Sequence, residues 1–245
     1  MTVQVFGRTD VGRERPNNQD AFVCGSLSEQ AMYAGVCDGM GGANGGQIAS
    51  TKAVQVVSDR IVECYRENMT DNSIRNLLET AIAAANAEVF DTAKNDADLR
   101  GMGTTVVATI VCKQKAHIAH VGDSRAYLIN ENGIRQVTRD HSVVEDLVSS
   151  GKLSREEARN HPRKNLITRA LGCEPQLRAD LFHVDVAQGD HLLLCSDGLS
   201  NQLAEQEILY EVIHGGEGDT CCQRLLDIAM HRGAPDNVTV VLVRC

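Results

Sequence analysis

Two long amphipathic stretches stand back to back at about 46–66 and 73–93, with short β-branched runs crowded on either side. In the first, Ile48, Val54, Val57, Ile61 and Tyr65 recur at helical spacing; in the second, Ile74, Leu77, Ala81, Ile82, Ala85 and Val89 form one stripe. Three extended runs, TVQVF, AFVC and AMYAGVC, precede the pair. Strands are predicted after it at 104–112, 116–121, 125–130 and 134–138, the last entered through Asn132-Gly133 as a hairpin turn. Residues 142–171 read as helical and broken, with Ser154-x-x-Glu157 as a capping box. Strands then fit 178–186 and 191–195, helices 205–214 and 219–231, and VTVVLV closes the chain as a strand. A parallel sheet would alternate strand with helix. Strands beside strands and helices in pairs instead predict an α+β fold of mainly antiparallel sheets covered by helices. With no internal repeat, low-complexity tract or Pro/Ser linker, residues 1–245 are expected to form a single domain.

Composition narrows the function. Aromatic residues make up 3% and tryptophan is absent, so the core is aliphatic and base stacking on aromatics is disfavoured. A net charge of −9 repels nucleic acid and anionic membranes. The nine cysteines contain no CxxC pair and suit reduced thiols in a cytosol. The start, MTVQVFGRTD, lacks the build of a signal peptide, and no apolar run reaches membrane-spanning length. A soluble cytoplasmic protein is expected.

VCDGMGGANGG, residues 36–46, invites comparison with phosphate-binding loops. Gly41 and Gly46 have P-loop separation, but Gln47 and Ile48 stand where a lysine and a hydroxyl residue are needed. A dinucleotide fingerprint fails at Asn44. The glycines suit a tight turn into a helix, which leaves Asp38 to be explained.

Asp38 is one of four aspartates at the edge of an apolar run beside a turn residue: VCDG at 38, HVGDS at 123, LCSDG at 197 and APDNV at 236. Asp-Gly and Asp-Asn make turns in any protein. If several converge, however, the electrostatics change, because two carboxylates about 4 Å apart repel by roughly 4 kcal/mol at an effective dielectric of about 20. Such a cluster needs protons or divalent cations, and all-oxygen ligands suit Mg²⁺ or Mn²⁺.

RPNNQDAF, CDGMGG, GMGTT, HVGDSRAYLI, QVTRDHSVVEDLVSSG, HPRKNLITRALG, LCSDGL and PDNVTVVLV occur in this order. Over about residues 7–243 they resemble the PPM family, the metal-dependent serine/threonine protein phosphatases of type 2C, in a compact bacterial form. The resemblance implies a four-layer α-β-β-α sandwich with a flap-like helical insertion at about 142–171. It implies hydrolysis of phosphoserine and phosphothreonine in proteins by a metal-activated water, without a phosphoenzyme. The enzyme would be a cytoplasmic signalling monomer opposing a serine/threonine kinase, with two Mn²⁺ or Mg²⁺ ions and a possible third, weaker one.

Residue by residue, the resemblance makes Asp38 the bridging ligand and gives the Gly39 carbonyl to one ion and Asp197 and Asp236 to the other. Asp123 would share a third ion with Asp197. Arg15 would bind the substrate phosphate, its guanidinium fork matching phosphate oxygens, with Arg13 as the nearby alternative. Gln19, Asp20 and Asn237 would support the ligands from behind. Two positions depart from the family: Gln19 often is Glu, and Met40 stands where animal members often have a histidine that protonates the leaving group. A non-catalytic metal-binding regulatory module of the same fold and a hydrolase of small phosphate esters are the alternatives.

Other phosphatase chemistries fail on their motifs. No cysteine has arginine six positions on, Asp96-Ala97-Asp98 continues Leu99-Arg100, and Gly122-Asp123-Ser124-Arg125-Ala126 is not a nucleophile elbow. His117 and His120 are expected to be structural, and His141 and His161 to lie on the surface. Residues 152–169 hold six basic residues (Lys152, Arg155, Arg159, Arg163, Lys164 and Arg169) against two acidic ones, a charge excess suited to steering phosphorylated protein segments.

Overall fold

The computed structural model describes residues 3–245, the side chain of Ala43 excepted. Its elements in chain order are β1 (Gln4–Asp10), β2 (Asp20–Ser28), β3 (Ala31–Met40), α1 (Gly42–Cys64), α2 (Asp71–Asn95), β4 (Gly103–Thr104), β5 (Val106–Cys112), β6 (Lys115–Val121), β7 (Arg125–Asn130) and β8 (Gly133–Gln136). They continue with α3 (Val143–Ser149), α4 (Arg155–Arg159), β9 (Asp180–Asp185), β10 (His191–Cys195), α5 (Asp197–Ser200), α6 (Glu205–His214), α7 (Gly218–His231) and β11 (Val238–Arg244). One sheet has the order β1-β11-β10-β7-β8; the other runs β2-β3-β5-β6-β9, with β4 paired to β3. The ladders between named strands are antiparallel.

Strand periodicity explains the layers. Along β5, Val106, Ala108, Ile110 and Cys112 face one apolar cluster with α1 and α2 residues such as Val57, Ile61, Leu78 and Ile82. Val107 and Val111, of opposite parity, face a second cluster with Val36, Ile118, Leu192, Leu194, Val241 and Val243, which glues the two sheets together. Along β11, Val238, Val240 and Leu242 point the other way, into a third cluster with Leu225 of α7 and Ile208 of α6. Strands buried on both faces read as unbroken apolar runs, which is why TTVVATIVC and VTVVLV stand out in the sequence. The result is the α-β-β-α sandwich.

The helices at 205–214 and 219–231 and the box at Ser154 agree with expectation: Ser154 N–H donates to Glu157 Oε2 at 2.8 Å and Glu157 N–H to Ser154 Oγ at 3.2 Å. Two details differ. Asn130 pairs with Gly133, so the β7–β8 turn is Glu131-Asn132, one residue earlier than predicted, with Gly133 (φ 138°) opening the return strand. The one-turn helix α5, too short to show periodicity, was not predicted.

Candidate active site

Strand ends set the aspartates. In the β2–β3 ladder Asp20 lies directly across from Asp38. The Asp38 backbone is fully committed: its N–H donates to Thr105 Oγ1 (2.9 Å), and its carbonyl accepts from Thr105 N–H (2.8 Å) and Thr104 Oγ1 (2.9 Å). Only the side chain is left for chemistry. Thr105 Oγ1 also meets Ser124 Oγ at 2.7 Å, tying this strand end to the turn carrying Asp123. Gly122 there has φ 110°, and a side chain on it would collide with Thr105. Asp197 opens α5 and accepts from Asn201 Nδ2 at 3.0 Å; Asp236 precedes β11 and caps the Asn237 N–H at 2.9 Å.

These side chains sense one another. Burial raises the Asp38 carboxyl well above its ordinary range, and Asp20, Asp197, Asp123 and Asp236 push it further. Asp123 is raised by burial and then by Asp197 and Asp140, and Asp197 by burial and then by Asp236. Burial lifts Asp20 to about 7, against two hydroxyl donors, Ser196 and Thr239, each 2.7 Å from Oδ2. Its Oδ1 is buried with no hydrogen-bond partner. Asp38 and Asp197 lie deep yet keep part of their surface accessible. An unpartnered carboxylate oxygen among mutually repelling carboxylates fits a bound divalent cation. Among the described residues no group of three or more His, Cys, Asp or Glu side chains is placed to hold a metal ion. An ion held here would need further oxygens from backbone carbonyls or water, as Mg²⁺ and Mn²⁺ commonly take.

The segment before β2 is strapped to the start of β11. Asn237 Nδ2 donates to the carbonyls of Val11 (2.8 Å) and Asn17 (3.1 Å), and its Oδ1 accepts the Gln19 N–H at 2.8 Å. Arg15 is thereby brought to Asp236, Nη2 to Oδ2 at 2.8 Å, and its charge is also felt by Asp38 and Asp197. Arg13 makes no ion pair among the described residues. Gln19 Nε2 donates to the Gly42 carbonyl at 2.9 Å, so this amide steadies the glycine-rich turn. Gly39 packs backbone to backbone on Gly46, where a side chain on either would collide, and Gly41 and Gly42 take φ values of 116° and 67°. The glycines let α1 close against the Asp38 strand end.

Residues 9–217 match the family described as Protein phosphatase 2C. The serine/threonine phosphatase stp of Listeria welshimeri is 40% identical over 236 residues, covering 96% of this chain and 93% of that one. The crystal structure of the serine/threonine phosphatase Stp1 from Staphylococcus aureus superposes with a TM-score of 0.93 at 33% identity, over 100% of this chain and 96% of that one. The catalytic domain of the serine/threonine protein phosphatase PstP, in complex with two manganese ions, gives a TM-score of 0.86 at 32% identity, over 99% and 97%. The chain belongs to the protein phosphatase 2C family.

One expectation for this phosphatase 2C chain is corrected. His141 is not a surface residue: it is 7% exposed. Its Nδ1 accepts the Gly122 N–H at 3.0 Å, so the neutral ring carries its proton on Nε2, which faces Asp180 Oδ2 at 3.2 Å. Its backbone bonds Gly122 through N–H (2.7 Å) and Thr168 through the carbonyl (2.8 Å). His141 thus stitches the Asp123 turn to residues 167–169 and β9. It and Thr105, Ser124, Ser196 and Thr239 all lie within the ordered motif blocks, yet the blocks do not reveal their roles, because each acts through a partner distant in sequence. His117 and His120 are buried, as a structural role requires, and His161 is partly exposed.

Two clefts border the phosphatase centre. One, of about 780 Å³, includes Asp123 and Asp197 in its lining together with Arg135, Arg159 and Lys164. The other, of about 790 Å³, runs past Met40, Arg169, Cys173 and Phe182 and holds none of the four aspartates. Only the first shares residues, Asp123 and Asp197, with the set of repelling carboxylates.

Proposed function

We propose that this protein phosphatase hydrolyses phosphoserine and phosphothreonine esters in proteins, using Mn²⁺ or Mg²⁺ held at Asp38, the Gly39 carbonyl, Asp197 and Asp236. Asp123, with Asp197, is proposed to hold a third, weaker ion. The single observation carrying the reading is a set of buried and half-buried, mutually repelling carboxylates drawn from separate parts of the chain, with Asp20 Oδ1 left unpartnered. The two manganese ions in the PstP catalytic domain support the choice of metal. When bound, such ions supply positive charge and lower the pKa of a water, making it a nucleophile at neutral pH without a phosphoenzyme.

The remaining roles fall to the chain's own groups. Arg15, 54% exposed in its side chain and anchored through Nη2 alone, presents further N–H donors to the substrate phosphate. Asn237 fixes the loop that carries it. Asp20 and its two hydroxyl donors brace the Asp38 strand end, and Gln19 holds the glycine turn. Met40 has no proton to give a leaving oxygen. Nine free thiols suit a reducing compartment, and we infer a cytoplasmic enzyme opposing a serine/threonine kinase.

The deciding experiment is phosphopeptide hydrolysis with Mn²⁺, after chelation, and in Asp38→Asn, with calorimetric Mn²⁺ titration of both proteins. Chelation and the substitution should each lower turnover on the order of 10³-fold, the variant with diminished Mn²⁺ uptake. Hydrolysis that survives both refutes the reading. Turnover of a small aryl phosphate without any of phosphopeptides would instead favour a small-ester hydrolase.

A further inference from the structure

We propose that the 780 Å³ cleft beside Asp123 and Asp197 binds an acidic stretch of the substrate polypeptide flanking its phosphoresidue, through Arg135, Arg159 and Lys164. The proposal rests on the phosphatase reading and names the substrate class it prefers. The cleft is continuous with the carboxylate centre through Asp123 and Asp197, so a phosphoresidue held there runs its neighbours into it. Its volume lies within the range of about 300–1,000 Å³ that accommodates whole ligands, far more than a phosphoryl group fills.

Charge gives the cleft its selectivity. Much of its lining is already neutralised: Arg125 pairs with Asp140 at 2.6 Å, and Arg139 and Arg155 share Glu145 at 3.6 and 3.3 Å. Arg135, Arg159 and Lys164 are exposed and take no part in an ion pair among the described residues. They come from two separate parts of the chain, β8 and the segment after α3, and line the same cleft. Glu205 is the one acid of the lining, outside the centre, that is likewise unpaired among the described residues. In a chain of net charge −9, three uncompensated cations facing one cleft form a local positive field suited to carboxylates and further phosphates. Lys152 and Arg163, the other basic residues of that run with no ion pair among the described residues, are not part of the lining.

The test compares the Mn²⁺-loaded full chain with an Arg135→Ala, Arg159→Ala, Lys164→Ala variant on three substrates. These are a phosphothreonine peptide with acidic flanks, the same peptide with lysine flanks, and a small aryl phosphate. The parent should prefer the acidic peptide. The variant should lose roughly tenfold in kcat/KM on that peptide, since each exposed charge pair is worth about 1.5- to 5-fold. Its aryl phosphate turnover and thermal midpoint should stay unchanged, and the preference should shrink with salt. Absence of an acidic preference in the parent, or equal losses on all three substrates, overturns the proposal. If no substrate is turned over, the phosphatase reading fails separately. Fluorescence anisotropy of the labelled acidic peptide then decides, and the proposal stands only if the triple variant binds it more weakly than the parent.

Discussion

The carboxylate centre and the segment between β8 and β9 border the same cleft but are built in opposite ways. The Asp38 backbone N–H and C=O both have named partners, and Asp20 and Asp123 are buried while Asp38 and Asp197 are half-buried. Residues 143–159 form two helices of 7 and 5 residues with no buried residue in either. Repulsion between like charges concentrates in the first region; two of the three unpaired cations, Arg159 and Lys164, are in the second, and Arg135 stands beside it on β8. If the proposals above hold, the contrast separates the chemistry, which needs fixed geometry and a cation, from substrate choice, which exposed charges can supply.

The largest expected effect tests whether the centre is indeed strained without metal. Asp20 titrates at about 7 in the folded protein against 3.8 when unfolded, so between these values the folded state holds more protons. Stability of chelated protein should therefore fall as pH rises from about 4 to 7, by several degrees in thermal midpoint, and excess Mn²⁺ should reverse the trend. His120, lowered to about 4 by burial and then by His141, has the opposite sign: its contribution is lost as pH falls from 6.5 towards 4. Asp20→Asn isolates the carboxylate. It should flatten the rise-with-acid arm while weakening Mn²⁺ binding about 10- to 100-fold, as removal of an outer partner typically does. A pH–stability curve of chelated protein that is unchanged by Asp20→Asn would remove the basis for calling the centre strained.

A smaller effect is expected where the two regions are joined. His141 links Gly122, next to Asp123, with Asp180 and the residue-168 backbone. His141→Asn keeps an acceptor near Nδ1 for the Gly122 N–H, whereas His141→Gln keeps a donor towards Asp180 and leaves that N–H unpaired. An unsatisfied buried donor costs about 1–3 kcal/mol, so Gln should be the more destabilising and should lower Mn²⁺ uptake further than Asn. Equal behaviour of the two variants in thermal unfolding and metal titration would show that the turn does not depend on this hydrogen bond.

The sequence and the structure agree best where one segment explains itself. The apolar runs of β5 and β11, the stripes of α1 and α2 and the box at Ser154 are local patterns, and they are where they were expected. Asp38, Asp123, Asp197 and Asp236 are legible as strand-end turn residues, but whether they share ions depends on how the two sheets stack, which no local pattern shows; in the sequence only the ordered motif resemblance proposes it. The His141 links and the pairing of Asp20 with Ser196 and Thr239 join residues up to 219 positions apart, beyond any local pattern. Four of the six basic residues at 152–169 are paired or directed elsewhere, since Arg155 meets Glu145, Arg169 meets Asp180, and Lys152 and Arg163 lie outside the cleft. Charge counts along a chain do not reveal which charges already have partners.

The smallest effect supplies the control for both regions. The β5–β6 hairpin turns through Lys113 and Gln114 at φ 50° and 60°, left-handed values taken by two residues with side chains, where Asn-Gly is the favoured pair. Gln114 is exposed, and its carbonyl bond from the Val186 N–H (2.9 Å) belongs to the backbone, so Gln114→Gly keeps it. Relief of the left-handed strain, about 1–2 kcal/mol, outweighs glycine's entropic cost of about 0.5–1 kcal/mol. A thermal midpoint higher by about 1–4 °C follows, with Mn²⁺ uptake and hydrolysis of all substrates unchanged. A shift in acidic-peptide preference on this substitution would mean that general stability, rather than the exposed charges, sets substrate choice, and the division between the two regions would have to be abandoned.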